Sequence, residues 1–74
     1  MLYLIANKTT AAEHGFPAKN HVVNGNLVLL NEREVVFSPT LSGTLEQRAA
    51  QLSASIYTEP ELLIIINEGG WNNA

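Results

Sequence analysis

The chain has 74 residues, a formal net charge of −3, 46% hydrophobic and 15% charged residues, and no Cys. That length allows one domain with a small core, and the lack of Cys excludes disulfides and Cys-based zinc sites. The basic residues, Lys8, Lys19, Arg33 and Arg48, are scattered, which argues against binding a phosphate backbone.

In chain order, Leu2–Ala6 predicts a first strand. Thr9–Gly15 has room for one short helical turn, with Thr9 or Thr10 as its cap and Gly15 as its close. Pro17 interrupts regular structure, and Phe16 is expected to plug the core from this loop. Two apolar runs then flank Asn24-Gly25, a strong hairpin signal. With Asn24-Gly25 as a two-residue loop, Val23 pairs with Asn26, Val22 with Leu27 and His21 with Val28. Asn31–Glu34 reads as a turn into a further strand, Val35–Phe37. One sheet face then carries Val22, Leu27, Leu29 and Val36, and the other Val23, Val28, Leu30, Val35 and Phe37. A sheet with one wet side alternates apolar with polar, and this one does not.

Thr44-Leu45-Glu46-Gln47 fits a capping box and predicts a helix from Leu45 to about Tyr57. Leu45, Ala49, Leu52 and Ile56 form its apolar stripe, and Pro60 ends it. The unbroken run Leu62–Ile66 predicts a last, central strand beside the first. Residues 68–74 read as a flexible tail. The expected architecture is a single α+β domain: a mostly antiparallel sheet of about five strands, in the order β-β-β-β-α-β, packed against one main helix.

Little here suggests chemistry. The chain has no Asp and only two His, and no Ser lies on a strand–turn–helix elbow. His14 and His21 are separated by Gly15 and Pro17, which is not a metal-ligand pattern. Gly69-Gly70 precedes no helix and no Lys, so it is no phosphate loop. No enzyme activity, cofactor or metal is therefore expected.

The charged share is well below the roughly 25% of an average domain, so polar cover is thin and an apolar patch is expected. Trp71 fits two roles, an anchor docking into a partner or a cap over its own core. The expected function is a small protein-binding module, a regulator or inhibitor of a larger protein of the kind phages also encode. Its contact residues would be Val22, Leu27, Leu29, Val36 and Trp71, and its partner a second copy or another protein, not nucleic acid or membrane. A structural subunit or assembly factor of a larger particle is the second reading. A small enzyme or ligand site using His14 or His21 beside Glu13 is the third. The N-terminal apolar run lacks the basic lead and the length of a signal peptide, which gives a cytoplasmic expectation.

Overall fold

The structure is a computed structural model, and it describes residues 1–68. It is an α+β domain built on one antiparallel four-stranded sheet. β1 (Leu2–Asn7) leads into α1 (Lys8–Glu13) and a 3₁₀ turn (Ala18–Asn20). The hairpin β2 (Val22–Asn24) and β3 (Leu27–Asn31) is followed by α2 (Glu32–Val36) and α3 (Leu45–Gln51). β4 (Ser55–Thr58) and α4 (Glu59–Asn67) complete the described chain. The strand order is β2-β3-β1-β4, with every neighbouring pair antiparallel.

Strand alternation sets the core. Leu4 and Ala6 of β1 face the same way as Val28 and Leu30 of β3, and all four are buried. Ile56 of β4 pairs with Leu4 and packs on the same side. Ala11 of α1, Val35 of α2, and Ala49 of α3 close this cluster, with Phe16, Leu41 and Leu52 from the adjoining segments. Phe16 plugs the core from its loop, as the sequence predicts. α4 packs on β1 and β4, and its buried Leu62 lies outside the cluster that the other helices share.

Several elements differ from the sequence expectation. Among the described residues the sheet has four strands, and three short helices cover its core side where one long helix was expected. The turn–strand reading of residues 31–37 is replaced by α2. Asn31 accepts from the Glu34 amide at 2.9 Å, and Glu34 Oε2 accepts from the Asn31 amide at 3.1 Å. This capping box starts a helix despite the β-branched pair Val35-Val36.

The expected helix 45–57 stops at Gln51, because Ser53 takes a left-handed conformation (φ 54°). The Ser53 amide donates to the Ala50 carbonyl and the Ala54 amide to the Ala49 carbonyl, the Schellman closure of a helix end. Ile56 therefore reaches the core from a strand instead of from the helical stripe.

The expected last strand, Leu62–Ile66, is the body of α4. Thr58 and Glu61 form its capping box, and Pro60 sits in its first turn. Pro60 starts a helix here, since the missing amide is one that a first turn leaves unpaired anyway. The cap of α1 is Asn7, not Thr9 or Thr10, for its side chain accepts from both of their amides.

The hairpin forms one position later than expected. Gly25 (φ 59°) and Asn26 make the loop, so Asn24 faces Leu27, Val23 faces Val28 and Val22 faces Leu29. Gly25 takes the first central position, the one that demands positive φ when glycine leads the turn. Sliding the loop by one position shifts the register by two residues. Side-chain parity is kept, so Val22, Leu27 and Leu29 still share a face.

Candidate interaction surface

The face of the sheet turned away from the core cluster carries Tyr3, Ile5, Leu27, Leu29 and Tyr57, all half-buried, with Val22 at its edge. Val22 is 62% exposed. It belongs to β2, a three-residue strand that among the described residues lies at the sheet edge and pairs with β3. Beside it lies a cavity of about 230 Å³ lined by Tyr3, Asn20, His21, Val22, Leu29 and Glu34, among others.

His21 occupies the wall of that cavity. Its Nδ1 lies 2.8 Å from the Pro17 carbonyl oxygen and its Nε2 2.5 Å from Glu34 Oε1. The Phe16 ring meets the imidazole edge-on, with centroids 6.0 Å apart. Burial pulls the His21 pKa down, but the Pro17 carbonyl and the Glu34 carboxylate together outweigh it, and the pKa is raised above its ordinary value. Both ring nitrogens face protein acceptors, so neither is free to act on a substrate. His21 pairs with Glu34, not with Glu13. Among the described residues no group of three or more His, Cys, Asp or Glu is gathered to hold a metal ion.

A second concave surface, of about 300 Å³, is lined by Met1, Glu32, Arg33, Val36 and Phe37. The capping box at Asn31 fixes its orientation. Val35 turns fully into the core, which leaves its neighbours Val36 and Phe37 outward, Phe37 being 75% exposed. The third apolar surface is on α4. Leu63 is 54% exposed and Ile64 55%, and Ile66 is also exposed, while only Leu62 of this helix is buried. A helix apolar on nearly all sides is normally enclosed by protein, and this one is not.

Arg48 has a structural place. Its guanidinium donates to the carbonyls of Val35, Ser38, Leu41 and Gly43 at 2.9–3.2 Å. It thereby ties the loop between α2 and α3 to both helices.

Of the residues expected to make contacts, Val22, Leu27 and Leu29 are brought together on one face. Val36 is not with them. It sits on α2 and lines the Met1–Phe37 groove, because the segment that carries it is helical. Trp71 and most of the expected tail lie outside the described residues. Phe37, Leu63, Ile64 and Ile66 were missed as surface residues, since apolar runs read as strand were assigned to a buried sheet. The signals that place them outside were present: Asn31-x-x-Glu34 and Thr58-x-Pro60-Glu61 are both helix starts.

Among the described residues, no helix is long and apolar enough to cross a membrane. Comparison with protein-family models, curated proteins and solved structures gives no significant match.

Proposed function

We propose that the chain is a non-catalytic protein-binding module whose uncovered apolar surface is completed by another protein molecule. The observation that carries this reading is the exposure of Phe37, Leu63, Ile64, Ile66 and Val22 in a domain whose core excludes them. Scattered exposed apolar residues are ordinary, but a helix presenting three large ones in four positions and a groove floored by Met1, Val36 and Phe37 are concentrations that mark contact sites. The engagement of both His21 nitrogens by protein oxygens supports a structural role for that histidine instead of a catalytic one. A regulator or inhibitor of a larger protein acts in this way. A permanent subunit of a particle would use the same surface.

The reading is tested with a Leu63→Ser/Ile66→Ser variant and a Phe37→Ser variant, each compared with the unaltered chain in sedimentation and in capture from cell extract. These positions are exposed, so the fold should survive. Loss of self-association, or loss of a specific captured protein, in either variant supports the reading. A monomer at all concentrations whose captured proteins are the same with and without the substitutions overturns it.

A further inference from the structure

We propose that His21 and Glu34 form a protonation-controlled latch that holds the edge of the sheet, from the 3₁₀ turn into β2, against α2. The imidazole is pinned between two oxygens, the Pro17 carbonyl on Nδ1 at 2.8 Å and Glu34 Oε1 on Nε2 at 2.5 Å. Neither oxygen can donate a proton when Glu34 is ionised, so both contacts are hydrogen bonds only while both nitrogens carry hydrogen. Whichever proton leaves, the bare nitrogen then points its lone pair at an acceptor.

The latch joins segments far apart in sequence. His21 stands at the junction of the 3₁₀ turn and β2, and Glu34 lies in α2, where its other oxygen caps the helix at the Asn31 amide. β2 is three residues long, pairs with β3, and lies at the edge of the sheet formed by the described residues. Tyr3 from β1 is the other titratable group lining the same cavity, where Asn20 and Asn31 are uncharged and no Lys or Arg is present. The Phe16 ring meets the imidazole edge-on.

The direction follows from the raised pKa of His21. The latch contributes in full below the ordinary imidazole value of 6.5 and is lost as pH rises through the higher folded value. The edge of the sheet therefore loosens toward alkaline pH, and with it the cavity wall beside Val22 and Leu29.

Nuclear magnetic resonance on the full chain tests this. The ring nitrogen shifts of His21 and the amide protection factors of Val22–Asn24 are followed through neutral pH. The expected result is a His21 titration above 6.5, with both nitrogens protonated below it, and a fall in β2 protection across the same transition. Glu34→Gln keeps the capping box, because Gln serves there as well as Glu, and it should lower the His21 pKa and weaken the pH dependence of β2, the Pro17 carbonyl still facing Nδ1. His21→Asn should abolish it, with Glu34 left in place. A His21 titration at or below 6.5, a β2 protection that does not change with pH, or a Glu34→Gln profile matching the unaltered chain overturns the latch.

Discussion

At the scale of single residues, two positions govern how the helices meet the sheet. Arg48 supplies fixed donors to four carbonyls near the end of α2 and in the following loop. The guanidinium reaches these carbonyls from two separate nitrogens, Nε and Nη1, whereas an ammonium places all its donors on one atom. Arg48→Met is expected to cost about 2–3 kcal/mol in denaturant unfolding, and Arg48→Lys to recover only part of that. Ser53 is the reverse case. It holds a left-handed conformation at φ 54° that closes α3 and sends the chain into β4. Such a conformation costs a side-chain-bearing residue roughly 1–2 kcal/mol, part of which glycine returns as entropy lost on folding. Ser53→Gly should therefore raise stability by about 0.5–1 kcal/mol, read as a shift in the unfolding midpoint.

At the scale of elements, short capping motifs decide the structure more than the apolar runs they precede. Thr44-x-x-Gln47 was legible as a helix start, and α3 begins there. Asn31-x-x-Glu34 and Thr58-x-x-Glu61 carry the same logic and open α2 and α4. They were hidden because Val35-Val36 and Leu62–Ile66 are rich in branched residues, which favour strands when tertiary context does not intervene. The hairpin was legible as an element but not in its register. Which of Asn24, Gly25 and Asn26 fill the two central positions depends on backbone angles that composition alone leaves open. The shared face of Val22, Leu27 and Leu29 survives because parity is insensitive to that slip. The place of Val36 on that face does not survive, since Val36 lies on α2 and not on a strand.

Two predictions belong to these caps. Gly43 (φ 96°) precedes the α3 cap, and a Cβ there would overlap the Gln47 side chain, whose oxygen accepts from the Thr44 amide. Gly43→Ala should lower stability by about 1–2 kcal/mol from backbone strain and the disturbed cap together. In α4, the Thr58 amide and hydroxyl hold the Glu61 carboxyl below its ordinary range. A depressed carboxylate pKa adds stability above the unfolded value and loses it as pH falls through the folded one. The first turn of α4 should therefore fray in acid, seen as loss of the Glu61 amide's protection, and Glu61→Gln should remove that acid dependence.

For the whole molecule, burial is uneven. One side of the sheet is sealed by Leu4, Val28, Leu30, Val35 and Leu52, each fully buried. Outside that cluster α4 rests on β1 and β4 through Leu62 and leaves Leu63, Ile64 and Ile66 to solvent. A domain of this size buries only roughly 60% of its unfolded surface, so stability gained from a partner would weigh heavily. The account expects the domain to be more stable when its outer apolar side chains are covered, and its melting temperature to rise with concentration if the cover is a second copy.

The most direct measurement is sedimentation equilibrium of the unaltered chain beside Leu63→Ser/Ile66→Ser, with capture from extract run on both. The account predicts an assembly, with itself or with one defined protein, that the double substitution removes while the circular dichroism of the fold is unchanged. A chain that stays monomeric and retains the same few weak binders after both the α4 surface and Phe37 have been made polar contradicts it.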